Sequence, residues 1–169
     1  GEALATTGKY VQAFPEYGPE RTGAPVVAYN RVSDRPIRLH SPVTRPRYVV
    51  VLDLSLAGAV DLVAGVPDDG LVLVNTGRAP EEVRAMLGVD GRPVRVLTVN
   101  AARIAMATLQ RNIPNTPMLG ALVAATGLLP RDAFLPGMRD NLQQKFRNRP
   151  HVVEANLAAI RQAYEEVSA

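Results

Sequence analysis

Three short, nearly continuous apolar runs organise the first hundred positions: Tyr48 to Asp53, Leu71 to Asn75 and Val94 to Val99. The first closes on an acid and the other two repeat its pattern. Runs of this length without strict alternation are those of strands buried on both faces. Between the first two, Ser55 to Ala64 is rich in Leu, Ala and Val and is closed by Gly65-Val66-Pro67, which predicts a short helix and its stop. Between the last two, Pro80 to Leu87 begins with proline at a first helical position, carries Glu81 and Glu82 in its first turn and ends at Gly88. Strand, helix, strand, helix, strand predicts a parallel sheet with right-handed crossovers.

Beyond the Val94 strand, Asn100 is placed to cap a helix through Gln110, and Asn115-Thr116-Pro117 to open another that runs to Gly127. Residues Arg131 to Phe146 and Val152 to Val167 carry apolar positions at helical spacing, with Pro130 and Pro150 as starts. At the other end, Lys9 to Phe14 and Val26 to Val32 predict strands joined by the loop Pro15 to Pro25, and Gly1 to Thr7 the tail of a helix ending at Gly8. The fold class expected is α/β: three layers, a mostly parallel sheet flanked by helices (Rossmann-like), and a helical C-terminal part. No internal repeat or linker marks a boundary, so residues 1–169 are expected to form one domain. A doubly wound domain normally opens with a strand and a glycine-rich turn. Neither starts this chain, which is expected either to lack such a segment or to build its sheet without it.

Composition narrows the chemistry. With 169 residues, 47% of them hydrophobic and 21% charged, the chain can bury about 70% of its unfolded surface and fold without metal or disulfide. It has no cysteine, so it cannot itself hold an iron–sulfur cluster or a disulfide. Its only histidines, His40 and His151, are far apart in sequence, and His40, between arginines, reads as a loop residue. His151 and Glu154 share a helical face and read as surface decoration. No run approaches the ~20 apolar residues of a membrane span, and no secretory leader is evident, so a cytoplasmic protein without membrane contact is expected.

Charge is concentrated rather than spread. The 19 basic residues, 17 Arg and 2 Lys, face 16 acids, for a formal net charge of +3. Six arginines between Arg21 and Arg47 meet the single acid Asp34 there, a local +5 on a body of −2. Arginine suits planar contacts to carboxylate or phosphate. Phosphate-loop, dinucleotide, nucleophile-elbow and zinc-protease signatures are absent. The turn-rich stretch Ala13 to Pro25, with Glu20 and Arg21 adjacent, reads either as a crossover loop with an exposed ion pair or as a rigid presentation loop for an anion or a partner subunit. Asn115-Thr116-Pro117-Met118-Leu119-Gly120-Ala121 reads either as an anion-binding helix start or as simple capping, with Gly120, Ala121 and Ala124 allowing another helix to approach closely. Prolines among the arginines and few aromatics, at 5%, argue against a stacking platform for nucleic acid.

The stretch Lys9-Tyr10-Val11-Gln12-Ala13-Phe14-Pro15, then Tyr17-Gly18-Pro19-Glu20-Arg21-x-Gly23-Ala24-Pro25-Val26, then Ser33-Asp34-x-Pro36-Ile37, closely resembles the gamma subunit, or gamma domain, of pyruvate and related 2-oxoacid:ferredoxin oxidoreductases. Tyr48 to Asp53, Asp69-Gly70, Asn75-Thr76 and Asn115-Thr116-x-Met118-Leu119-Gly120-Ala121 follow in the same order. The resemblance implies a complex that decarboxylates a 2-oxoacid oxidatively on thiamine diphosphate with Mg2+, passes electrons through [4Fe-4S] clusters to ferredoxin or a similar acceptor, and delivers the acyl group to coenzyme A. This chain lacks the Gly-Asp-Gly start of the family's thiamine-diphosphate motif as well as any cysteine. The resemblance therefore implies a subunit, inactive alone, that packs on alpha, beta and delta-type subunits. It directs coenzyme A or a subunit interface to Gly18, Pro19, Glu20, Arg21, Gly23, Asn115 and Thr116, with no catalytic residue and no metal ligand on this chain. The competing class is a stand-alone basic nucleotide- or nucleic-acid-binding module.

Overall fold

A computed structural model describes residues 8–16 and 25–167. The chain divides into two compact units, one up to Thr44 and one from Arg45.

The first unit is a hairpin with a trailing segment. Strand β1 (Tyr10–Glu16) pairs antiparallel with β2 (Val27–Ser33), in a register that sets Phe14 opposite Tyr29 and Tyr10 opposite Ser33. The Phe14 and Tyr29 rings lie 5.3 Å apart, centroid to centroid, in a tilted pair. A two-stranded ribbon alone is marginal in water, so side-chain contacts must supplement its ladder. The Lys9 ammonium meets Asp34 at 2.6 Å across the open end, and the Tyr29 hydroxyl donates to Glu16 at 2.5 Å. That bond, with burial and the carboxylate's charge, raises the Tyr29 phenol above its ordinary range. Both strands begin one residue later than expected, and β1 ends two residues and β2 one residue beyond the expected end.

The second unit carries a parallel sheet of β3 (Tyr48–Val51), β4 (Leu71–Asn75) and β5 (Arg95–Val99), in that spatial order. Because side chains alternate across a strand, the apolar runs supply both faces at once. Leu71, Leu73, Leu97 and Val99 fill one cluster, while Val51, Val72, Val74 and Val96 fill the other. The valine face is covered by α1 (Pro80–Leu87) and the segment after β3, through Val83, Val66 and Leu54. The leucine face is covered by α2 (Ala101–Leu109), α3 (Asn115–Thr126) and α5 (Pro150–Glu166), through Ile104, Met118, Ala159 and Ala163. Helix α4 (Arg131–Lys145) packs on α5. The result is the three-layer α/β arrangement with a helical C-terminal part that the pattern predicts.

Two expectations need correction. Residues Ser55 to Ala64 do not form an α-helix but a 3-10 turn, Leu54–Leu56, followed by hydrogen-bonded turns and an isolated bridge between Ala57 and Val60. Gly58, at φ 96°, takes the chain out of the right-handed helical region. The carboxylates of Asp53 and Asp61 also accept the amides of Ser55 (2.9 Å) and Val63 (3.0 Å), local bonds that compete with a helical ladder. Asn115, in turn, does not cap its helix. Pro114 occupies the cap position, no side chain caps the end, and the Pro114 carbonyl accepts the Met118 amide at 2.9 Å. The expected helical tail at Gly1 to Thr7 lies outside the described residues.

Candidate functional site

In open α/β sheets the crevice outside the carboxyl ends of the strands is where ligands are usually held. Here that edge is organised by Asn75, the last residue of β4. Its amide nitrogen donates to the Leu52 carbonyl at 2.9 Å, and its amide oxygen accepts the Ala102 amide at 3.0 Å. One side chain thereby ties the exit of β3 to the start of α2. Asn100 completes the corner by accepting the Arg103 amide at 3.0 Å, the cap expected from its position. The Thr76 amide donates to the Val99 carbonyl at 3.0 Å, and its hydroxyl accepts the Arg78 amide at 3.2 Å. Two hydrogen bonds from Ser55, side chain and backbone, hold the Asp53 carboxyl below its usual value. The edge is thus bound largely to itself, and Arg78, its exposed cation, is paired with Glu82 at 3.3 Å. Asn75→Ala strands an amide and a carbonyl. The expected cost is about 2 kcal/mol, read as a fall in the urea midpoint with an unchanged slope.

Arginine also serves the fold in a way its abundance alone does not reveal. Arg84 donates to the carbonyls of Val94 (2.5 Å), Arg92 (2.6 Å) and Val89 (2.8 Å), and Arg92 donates to the Val66 carbonyl at 2.7 Å. In the hairpin unit, Arg31 does the same for the residues after β2. The planar guanidinium has five donors, enough to satisfy several loop carbonyls at once. These arginines are committed internally and are not open to a ligand.

Gly18, Pro19, Glu20, Arg21 and Gly23 lie outside the described residues. Asn115 and Thr116 stand in the first turn of α3, Asn115 exposed and Thr116 half-buried. Pro117, directly after them, has no N–H, so this helix start offers an anion fewer amide donors than an ordinary one. Asn115 and Thr116 belong to the second unit. His151 lies in α5, and its neighbour Glu154 is held instead by Arg139 at 2.5 Å. A depression of about 310 Å³ lined by Ala57, Val60, Asp61, Leu62, Met86 and Leu87 has no cation to receive a phosphate. Among the described residues there is no cluster of His, Asp and Glu fit for a metal, and no helix is long and apolar enough to cross a membrane. Asn75 and Arg31 are the residues whose roles the sequence reading missed. A polar residue ending a buried strand, and an arginine opposite Gln12 and two places from the Phe14–Tyr29 pair, were the available signals.

The described residues thus form a hairpin unit and a three-layer, cysteine-free α/β unit whose sheet has its carboxyl edge closed by its own side chains. Residues 1–166 match the pyruvate ferredoxin/flavodoxin oxidoreductase family. The chain is 46% identical to the pyruvate synthase subunit PorC of Thermotoga maritima over 166 residues, covering 98% of this chain and 83% of that one. It is 42% identical over 165 residues to the pyruvate/ketoisovalerate oxidoreductases common subunit gamma of Pyrococcus furiosus, covering 98% and 85%. The crystal structure of the Thermotoga maritima pyruvate oxidoreductase subunit PORC superposes with a TM-score of 0.82 at 42% identity, over 99% of this chain and 85% of that one. The gamma subunit of a keto/oxoacid ferredoxin oxidoreductase from Geobacter sulfurreducens shares the fold, with a TM-score of 0.67 at 21% identity, over 97% and 84%. The chain belongs to the pyruvate ferredoxin/flavodoxin oxidoreductase family, and within it to the gamma subunits.

Proposed function

We propose that this chain is the gamma subunit of a cytoplasmic complex that oxidatively decarboxylates a 2-oxoacid, pyruvate first among them, to an acyl-coenzyme A, with electrons passed to ferredoxin or a similar acceptor. The match to gamma subunits along nearly its whole length carries this reading. Thiamine diphosphate, Mg2+ and [4Fe-4S] clusters are assigned to alpha, beta and delta-type partners, because this chain has no cysteine to ligate a cluster and no Gly-Asp-Gly triplet. The isolated chain is accordingly inactive.

Its own contribution is to assembly and to the cleft where coenzyme A enters. Arg21, in the Gly18 to Pro25 motif, is assigned to a coenzyme A phosphate or a facing carboxylate, with Asn115 and Thr116 as a second contact. A charge-assisted bond shielded from water is worth about 1.5–3 kcal/mol. Arg21→Ala in the assembled complex is then expected to raise the KM for coenzyme A about tenfold or more, or to weaken assembly comparably. Steady-state kinetics and sedimentation of the reconstituted complex read the two. No change in either removes Arg21 from the reading. Native material that travels as a colourless monomer, without brown, cluster-bearing partners, removes the subunit reading itself.

A further inference from the structure

The segment that follows β2 is held as a rigid strap. Arg31 Nη1 donates to Gln12 Oε1 at 2.8 Å and to the Leu39 carbonyl at 3.3 Å, while Nη2 donates to the carbonyls of Ser41 (2.5 Å) and Pro42 (3.1 Å). The same guanidinium lies over the Phe14 ring, 5.6 Å from its centroid. Because Arg31 fixes the Gln12 oxygen, the Gln12 nitrogen is the atom that faces His40 Nδ1, at 3.0 Å. At the other end, the Arg35 amide donates to Ser33 Oγ at 3.0 Å and Lys9 holds Asp34. The segment Asp34 to Pro42 is thus pinned at both ends.

What the strap presents between those pins is unsatisfied. Arg35 and Arg38 are exposed and have no acidic partner among the described residues, and Leu39 beside them is 60% exposed. The unit's described residues hold four cations and two acids. Both of these acids are engaged, Asp34 by Lys9 and Glu16 by Tyr29, so the unit's described residues supply no free carboxylate to these two arginines. Arginines beside an apolar side chain make the composition of a protein interface core and its rim. A single-stranded nucleic acid stacks on several free aromatic faces, whereas Phe14 and Tyr29 are packed on each other with Arg31 over the former, which leaves Tyr10 as the one exposed aromatic among the unit's described residues.

We infer that the strap Asp34 to Pro42 is a preformed docking element for an acidic protein surface on another chain of the complex, with Arg35 and Arg38 on carboxylates and Leu39 on apolar ground beside them. This rests on the subunit reading above and adds to it which residues meet the partner and with what chemistry. Arg31 is a positioning residue: it touches no partner but holds the strap in the shape that fits one, so ordering entropy is not lost on binding.

The test is assembly of the purified complex from its subunits, followed by sedimentation at low and high salt. The Arg35→Glu/Arg38→Glu chain is expected to assemble about 30-fold more weakly at low salt, and the steep salt dependence of the unaltered chain should flatten. Arg147→Glu/Arg149→Glu makes the same change in net charge at the turn between α4 and α5 and is expected to shift assembly less than about threefold. Equal weakening by both pairs would show a net-charge effect and overturn the inference, as would unchanged assembly of the strap variant while the unaltered chain assembles. Loss of single-stranded oligonucleotide binding in the strap variant, with assembly intact, would give the strap a nucleic-acid occupant and also overturn it. Failure of the unaltered chain to join any oxidoreductase subunit would remove the subunit reading, and this inference with it. Circular dichroism of each variant checks the fold, and Leu39→Ser, which keeps both charges, is expected to weaken assembly without changing its salt dependence.

Discussion

Gly120→Val is expected to leave the chain unfolded or close to it at 37 °C. Helices α3 and α5 meet at Gly120 with no room for a side chain: a Cβ there would overlap the Ile160 carbonyl oxygen and come within 3.0 Å of its carbon. That carbonyl is part of the α5 backbone, so neither helix can yield locally. Ala121 on α3 and Ala159 and Ala163 on α5, all fully buried in the same leucine-face core, show that close packing here depends on small residues. Overpacking a core costs about 1–3 kcal/mol when side chains can shift, and more when the obstacle is backbone. For Gly120→Val we expect at least about 4 kcal/mol, much of the 5–15 kcal/mol that holds a domain together. A thermal melt followed by circular dichroism decides it. Gly137 in α4 is the control, since a Cβ there meets nothing within 4 Å. Gly137→Ala should stabilise by about 0.5–1 kcal/mol, because it removes only the entropic penalty of glycine in a helix. Tolerance of Gly120→Val would mean that α3 and α5 do not pack as described.

Gly70→Ala is the second large effect, expected to cost about 2–3 kcal/mol. Gly70 stands where β4 begins, its amide donating to the Pro67 carbonyl (2.8 Å), its carbonyl accepting the Arg95 amide (3.0 Å), and the next amide, of Leu71, donating to the Arg47 carbonyl (3.0 Å). An added Cβ would lie 2.6 Å from Val66 Cγ1 and 2.8 Å from the Pro67 oxygen. The valine could turn away, but the carbonyl is tied into the turn that leads the chain into the sheet. Val66→Ala should therefore fail to rescue Gly70→Ala. Urea unfolding of the single and double variants measures this, and full recovery in the double would place the obstacle in the side chain alone.

Both glycines belong to motifs by which the sequence resembles its family, Asp69-Gly70 and Leu119-Gly120-Ala121, and both prove to be places of backbone contact. The Asn115-Thr116 start that precedes Gly120 combined two readings in the sequence. The close helix approach at Gly120 is present, whereas capping by Asn115 is not, because Pro114 took the cap position and Pro117 removed a donor. The Asn75-Thr76 pair was visible as part of the same resemblance, but its task was not: the Leu52 carbonyl and the Ala102 amide that Asn75 joins lie 23 and 27 residues away in the chain.

The sequence by itself determined the strands, the helices with proline starts and glycine ends, the two-faced burial of the sheet and the exclusion of cluster chemistry. These follow from local geometry and composition: the period of apolar residues, the φ that proline imposes, the αL turn at Gly88 and Gly127, and the lack of any thiol. Only the tertiary structure decided which arginines are spent and which are left over. Seen along the chain, Arg31, Arg35 and Arg38 are equal members of one basic stretch. In space, Arg31 faces Phe14 and the carbonyls of a returning segment, so its donors are taken up by hydrogen bonds within the unit, whereas Arg35 and Arg38 point from a pinned strap to solvent. An arginine's partner is set by which carbonyls and carboxylates the fold brings within about 3 Å of it, and the order of residues along the chain does not encode that distance.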